Sequence, residues 1–201
     1  MKRPSILIVT GALALSALVP VTSAGPASAA SPTGGATPAS VHGPLATATV
    51  VGHRHPQVLS VGGAGAYRIG VSLAALTAAG HIDWVAPGCG GVVHAGATGS
   101  WAGVLVLAFR GGRLVEVGTA TAPPRSPAGA AVGMSFAELE EIYGRRGSLI
   151  RNDAGDAGAY LVRVGSRVEL FTGHPIRPGV GYFQVGPASF VERNFRQGPA
   201  C

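Results

Sequence analysis

A phrase that occurs twice constrains the fold of this chain more than any other feature. Residues 69–76 read IGVSLAAL, and residues 132–139 read VGMSFAEL. In each copy a glycine stands two residues before a serine, apolar residues follow with helical spacing, and β-rich sequence comes next. Internal repetition of this kind predicts an α+β fold of two tandem repeats, each a short helical segment packed on an antiparallel β-sheet.

The chain divides into predicted segments along its length. They are a signal peptide at 1–29, a flexible leader rich in Pro, Ala and Gly at 30–57, a first repeat at 58–118, a Pro-rich linker at 119–130, and a second repeat with a C-terminal tail at 131–201. Lys2 and Arg3 precede an apolar run and an A-x-A site, which predicts cleavage after Ala29. A membrane anchor is the alternative, but Thr, Gly, Ser and Pro interrupt the run, and spanning takes about 20 apolar residues. We therefore expect a secreted, monomeric protein with no stable membrane insertion after cleavage.

Charge and ligand motifs exclude several classes of partner. Removal of Lys2 and Arg3 leaves 13 basic and 9 acidic residues, a net charge of +4 spread along the sequence. Nucleic-acid binding takes a basic stripe with interleaved aromatic residues, which this sequence lacks. His53 and His55 form an H-x-H pair, but a metal site normally takes three or four preorganised ligands. Residues 152–156 resemble a calcium loop with too few carboxylates. We expect no nucleic-acid partner, no metal ion and no cofactor.

Local signals define three short helices. Ser72 stands where the N-cap of the first helix is expected. Ser135 and Glu138 form a capping box, in which the serine hydroxyl accepts from the backbone at position 138 and the carboxylate reaches back. Ser189 and Glu192 repeat the same spacing, which predicts a further helix of one or two turns near the C-terminus.

Two β-hairpins are predicted. Gly111 and Gly112 suit a tight primed turn between strands of the first repeat. In the second repeat, a three-residue loop at 165–167 places the apolar residues of both strands on one face. A two-residue loop would instead place charged residues on the same face as apolar ones. The three-residue loop is therefore expected. It leaves a half-polar, half-aromatic face that is a candidate protein-interaction surface, with an ordinary half-solvated sheet face, or one covered by the other repeat, as the alternatives. The candidate residues are Leu161, Arg163, Glu169, Phe171, Tyr182 and Gln184.

The chain holds two cysteines, Cys89 and Cys201. In an exported protein the economical expectation is one disulfide that ties the C-terminus to the first repeat. A disulfide-linked dimer through Cys201 is the alternative.

The duplicated phrase and the strands that follow it resemble the β-lactamase inhibitory protein family. A single unit is also similar to the small lipoproteins of the bacterial outer-membrane assembly machinery. The resemblance covers about residues 65–186 and implies a helix-loop-helix packed on a four-stranded antiparallel sheet in each repeat. In that family the sheets form a concave surface that grips an enzyme, which implies a protein-binding sheet face here. The family's repeats each hold an internal disulfide, whereas this chain has one cysteine pair spanning both.

No arrangement of residues in the sequence indicates catalysis. A G-x-S-x-G elbow is absent. His81 and Asp83 are close in sequence, but residues 80–84 read as a helix exit with Trp84 as an anchor. We therefore expect a secreted, non-enzymatic interaction module that binds or inhibits another extracellular protein. The alternative is a small exported hydrolase or a cell-envelope ligand-binding protein whose site carries no familiar motif.

Overall fold

The computed structural model describes residues 57–199. The predicted signal peptide, the predicted leader up to residue 56, which includes His53 and His55, and Cys201 lie outside the described residues. Within the described range the strands are β1 (Gly63–Ala64), β2 (Tyr67–Arg68), β3 (Ile82–Pro87), β4 (Val92–Ala97), β5 (Val106–Arg110), β6 (Arg113–Thr119), β7 (Gly147–Arg151), β8 (Gly158–Val164), β9 (Arg167–Gly173) and β10 (Val180–Pro187). The α-helices are α1 (Leu73–Ala78), α2 (Phe136–Tyr143) and α3 (Val191–Gln197).

Eight of these strands form a single antiparallel sheet. Their order is β3-β4-β5-β6-β10-β9-β8-β7, and β1 and β2 form a separate two-stranded sheet. The last strand of the chain, β10, lies in the middle of the large sheet between β6 and β9. Val185 pairs with Val117, and Phe183 pairs with Thr119, across the junction of β10 and β6.

The prediction of two tandem helix-on-sheet repeats is wrong. The structure is mostly one eight-stranded antiparallel sheet with a small accessory sheet and few helices. Hydrogen bonds between β6 and β10 join the strands of both halves into one ladder. One hydrophobic cluster contains Leu107 and Val117 from the first half together with Phe171 and Phe183 from the second. A glycine–serine phrase specifies a local helix start, but it does not specify which strands pair.

Helices cover the two faces of the sheet unequally. Leu76 of α1 and Leu139 of α2 are buried in the larger hydrophobic cluster. Val191 of α3 belongs to a second cluster on the opposite face, where it packs with Leu161 and Leu170. We call the side of α1 and α2 the helix face.

The predicted caps of the first two helices are confirmed. Ser72 Oγ accepts from the Ala75 N–H at 3.2 Å. Ser135 Oγ accepts from the Glu138 N–H at 3.2 Å, and Glu138 Oε2 accepts from the Ser135 N–H at 2.7 Å. These bonds to Ser135 hold the pKa of Glu138 below its ordinary value.

The predicted third helix is present, but its predicted cap is wrong. Phe190 occupies the N-cap position of α3 and provides no side-chain hydrogen bond. Glu192 pairs with Arg163 and Arg196 instead of returning to the start of the helix. Because the Glu192 carboxylate contacts Arg163 and Arg196, it does not form the capping box that its spacing from Ser189 predicts.

The hairpin between β5 and β6 is confirmed. Arg110 pairs with Arg113. Gly111 and Gly112 between them have φ angles of 57° and 72°, as a type I′ turn requires at both central positions.

The predicted three-residue loop between β8 and β9 is wrong. Val164 pairs with Arg167, so the loop has two residues, and Gly165 with φ 61° fits the first position of a type II′ turn. This register places Glu169 opposite Val162 on the helix face. Tyr143 makes that placement possible, because its hydroxyl donates to Glu169 Oε2 at 2.5 Å. Burial raises the pKa of Glu169, and the hydrogen bond from Tyr143 opposes that rise.

Candidate interaction face

Among the described residues, the sheet face opposite the helix face is partly exposed between the edge strand β3 and strand β10. Side chains alternate along a strand, so residues next to the core positions Ala95, Val117 and Phe183 point to this opposite face. Its exposed apolar members include Trp84, at 44% exposure, and Val106, at 37%. We call this surface the open face and define it by Trp84, Gly96, Val106, Glu116, Gly118, Tyr182 and Gln184.

Two aromatic side chains on the open face each lie over a glycine of a neighbouring strand. A Cβ atom on Gly96 would lie 2.7 Å from Trp84 Cδ1, and a Cβ atom on Gly118 would lie 2.9 Å from Tyr182 Cε1. Real Cβ atoms do not approach other atoms so closely, so both rings need the bare backbone beneath them. The glycines therefore allow Trp84 and Tyr182 to pack in contact with the backbone of the sheet.

A carboxylate joins this aromatic pair to the polar part of the face. The Tyr182 hydroxyl donates to Glu116. With its amide nitrogen turned toward that carboxylate, an orientation assigned from the hydrogen-bond pattern, Gln184 Nε2 donates to Glu116 Oε1 at 2.9 Å. Burial raises the pKa of Glu116 to about 7, and the hydrogen bond from Tyr182 opposes that rise. Burial and the neighbouring Glu116 raise the pKa of the Tyr182 hydroxyl.

The structure does not bring the six sequence-predicted face residues together. Glu169 and Phe171 lie buried on the helix face. Leu161 lies on the opposite face but is buried beside α3, and Arg163 on the same strand pairs with Glu192 of that helix. Tyr182 and Gln184 are the two that lie on the open face. The two-residue loop between β8 and β9 accounts for this, because a shift of one residue moves every side chain to the other face.

Sequence reasoning missed the other five members of the open face, and the most informative of these are Trp84 and Glu116. Trp84 lies on strand β3 instead of anchoring a helix exit. Glu116 sits next to a register shift, where Ala108 pairs with Glu116 and Phe109 pairs with Leu114. Simple alternation is lost at that shift. The glycine at 96 or at 118 inside a strand was the signal that could have pointed to a ring lying above it.

As far as the structure describes them, the other residues singled out in the sequence do not come together in a functional site. Cys89 is disulfide-bonded, and because Cys201 lies outside the described residues the Cys89–Cys201 pairing stays a prediction. At 152–156 the chain turns, with Asn152 Oδ1 accepting from the Ala157 N–H at 3.0 Å and Asn152 Nδ2 donating to Asp156 at 2.7 Å. No group of three His, Cys, Asp or Glu side chains placed to hold a metal ion occurs between residues 57 and 199.

Comparisons with known proteins add little to this geometry. No protein-family model matches the chain. No curated protein matches it significantly. In the part of the chain that the structure describes, no helix is long and apolar enough to cross a membrane.

Two solved structures show a low similarity. A cysteine-rich secretory protein from Staphylococcus aureus subsp. aureus Mu50 has 14% identity and a TM-score of 0.38, over 61% of this chain and 44% of that chain. An extracellular protein containing a SCP domain from Bacillus anthracis str. Ames has 12% identity and a TM-score of 0.41, over 66% of this chain and 47% of that chain. The chain thus spans less than half the length of either protein. Similarity at this level assigns neither fold nor function.

Proposed function

We propose that the chain is a secreted, non-enzymatic module whose open face binds another extracellular protein. The observation that carries this proposal is the pair of aromatic rings, Trp84 and Tyr182, held over Gly96 and Gly118 on a partly uncovered sheet face. Rings fixed in this way lose little conformational entropy on binding, so more of the contact energy is retained.

The composition of the open face suits a protein partner. Trp and Tyr are the residue types most enriched at the energetic centre of protein interfaces. The hydrogen-bonded group of Glu116, Tyr182 and Gln184 adds polar atoms beside the apolar surface of Trp84 and Val106, as in an interface with an apolar centre and a polar edge. The resemblance to the β-lactamase inhibitory protein family suggests a secreted enzyme as the partner. Export is part of the same proposal and rests on the signal peptide predicted at 1–29.

The test compares Trp84→Ala with Val85→Ala. Val85 is 54% exposed on the same strand and pairs with Ala95 of the core side, so it is a matched control for loss of an exposed apolar group. Partners are sought by inhibition of purified secreted hydrolases, β-lactamases included, and by capture from the culture fluid of the producing organism. We expect Trp84→Ala to weaken binding of the partner at least tenfold, because central aromatic residues contribute about 2 kcal/mol or more. Val85→Ala should bind like the wild type.

Thermal unfolding of both variants separates binding from folding. Trp84 is 44% exposed, so its removal should lower the melting temperature by the packing it loses on the sheet but leave the variant folded at the temperature of the binding assay. The proposal fails if no hydrolase is inhibited and no captured protein depends on Trp84, or if both substitutions weaken binding equally.

A further inference from the structure

A groove of about 440 Å³ lies away from the open face, where β7 and β9 end and β8 begins. Its side-chain lining includes Phe136, Leu149, Ile150, Arg151, His174 and Arg177. The volume falls within the range of small-molecule sites, which is about 300–1,000 Å³.

The floor of the groove is apolar. Gly158 and Gly173 carry no side chain there, and a Cβ atom on Gly173 would already lie 3.4 Å from Phe136 Cζ. The Phe136 ring therefore rests on bare strand backbone and forms the base of the groove. Leu149 is 61% exposed at its side. When an apolar group covers apolar surface at a concave site, water is released and the free energy falls.

The rim of the groove is cationic. Arg151 and Arg177 line it together with His174, and none of the described lining residues is acidic. The Arg151 guanidinium donates to the Gly155 carbonyl at 2.9 Å, which fixes one side of that cation and leaves its other N–H groups available.

His174 and Arg177 face each other in an arrangement that lacks an acceptor. His174 Nδ1 accepts from the Ile176 N–H at 3.2 Å. With Nδ1 as the acceptor, the hydrogen-bond pattern assigns the ring proton to Nε2. The Arg177 Nη2 atom, which can only donate, lies 3.1 Å from that same Nε2. Two donors therefore face each other, and an oxygen anion placed beside the pair, within hydrogen-bond distance of both nitrogens, would accept from both.

We propose that this groove binds a small carboxylate that carries an apolar group. A carboxylate oxygen lies beside the Arg177–His174 pair and accepts from Arg177 Nη2 and His174 Nε2. Arg151 adds positive charge, and the apolar group lies on Phe136 and Leu149. A free alkyl or aryl carboxylic acid and the apolar C-terminal residue of a peptide share this chemistry. The groove uses no residue of the open face, so it is independent of the function proposed above.

Calorimetric titration of the full chain tests the site with three probes: N-acetylphenylalanine, its uncharged C-terminal amide, and octanoate. We expect at least one carboxylate to bind and the amide to bind at least tenfold more weakly than N-acetylphenylalanine where that acid binds. Arg177→Gln should weaken carboxylate binding about tenfold or more, because hydrogen bonds to charged groups contribute about 1.5–3 kcal/mol. Arg193→Gln, which removes the same charge from an exposed residue outside the groove, should have no effect.

The pattern of binding identifies the source of the ligand. Binding of N-acetylphenylalanine alone indicates a peptide C-terminus, binding of octanoate alone indicates an alkyl acid, and binding of both indicates the shared carboxylate chemistry. The inference is overturned if neither acid binds at millimolar concentration, if the amide binds as tightly as N-acetylphenylalanine, or if Arg177→Gln leaves the affinity for the carboxylate unchanged. Arg177 is exposed, and equal melting temperatures of the variant and the wild type would show that its loss does not act through folding.

Discussion

At the scale of single residues, two carboxyl groups in the sheet depend on tyrosine hydroxyls. Glu169 is buried on the helix face beneath Tyr143, and Glu116 is held on the open face by Tyr182 and Gln184. Burial raises the pKa of both groups. Burial of a carboxyl group without a hydrogen-bond donor costs free energy of folding. The hydrogen bond from each tyrosine offsets that cost for its carboxyl group.

Glu116 gives a prediction about pH. Its pKa is about 7 in the folded protein, against an ordinary value of 4.5. Between these pH values the folded state keeps a proton that the unfolded state has released, so the free energy of unfolding decreases as pH rises through this window and stays reduced above it. Glu116→Gln removes the titrating group. The stability of the variant relative to the wild type should therefore increase between pH 4.5 and pH 8.

Urea unfolding of both proteins at several pH values measures that difference. Glu169 titrates in both proteins, so its contribution cancels when the wild type is subtracted from the variant. An unchanged difference across the window would show that Glu116 titrates normally.

At the scale of elements, the seam between β6 and β10 carries the open face. Tyr182 of β10 crosses Gly118 of β6, so the two strands are matched by a large side chain on one and a bare backbone on the other. Gly118→Ala places a methyl group against the ring. We expect the ring to be displaced from Glu116 and stability to fall by about 1–3 kcal/mol, as for other overpacked sites.

Gly158→Ala is the control for this substitution. It also adds a methyl group to a strand, but the nearest neighbour of that Cβ atom, Phe136 Cε2, lies at 3.8 Å, an ordinary contact distance. Denaturant unfolding compares the two variants. Equal effects would mean that the loss comes from strand glycines in general and not from the position of Tyr182.

The sequence predicted some elements well because their signals are local. The N-caps at Ser72 and Ser135 and the turn at Gly111–Gly112 depend on hydrogen bonds and φ angles within a few residues. The β8–β9 register was predicted incorrectly because its decisive interaction is distant. Tyr143 accommodates Glu169 from 26 residues away, and no pattern within the hairpin reveals that donor.

At the scale of the whole molecule, β10 unites the fold. Phe183 of β10 is fully buried and stacks on Phe171 of β9 with ring centroids 4.3 Å apart. On its other side β10 pairs with β6, so both halves of the chain share this strand. The described region should therefore unfold in one cooperative transition.

Phe183→Ala tests this cooperativity. Both tryptophans, Trp84 and Trp101, belong to the first half of the described residues, far in sequence from position 183. Because the core is shared, the free energy of unfolding measured by tryptophan fluorescence should fall together with that measured by circular dichroism. The expected decrease is about 3–5 kcal/mol, as for other Phe→Ala changes in cores. Ile176→Ala, at an 85% exposed residue, should move neither. If Phe183→Ala leaves the unfolding free energy measured by tryptophan fluorescence unchanged, the two halves are independent folding units.

By itself, the sequence determined the positions of two helix starts and one glycine turn, because each depends on hydrogen bonds and φ angles within a few residues. The tertiary structure alone decided that eight strands form one sheet, that Glu169 and Phe171 are buried, and that Trp84 and Glu116 share the open face. Those outcomes depend on strand order and register. A shift of one residue reverses the direction of every side chain along a strand, and pairings such as Phe183 with Thr119 link residues far apart in sequence.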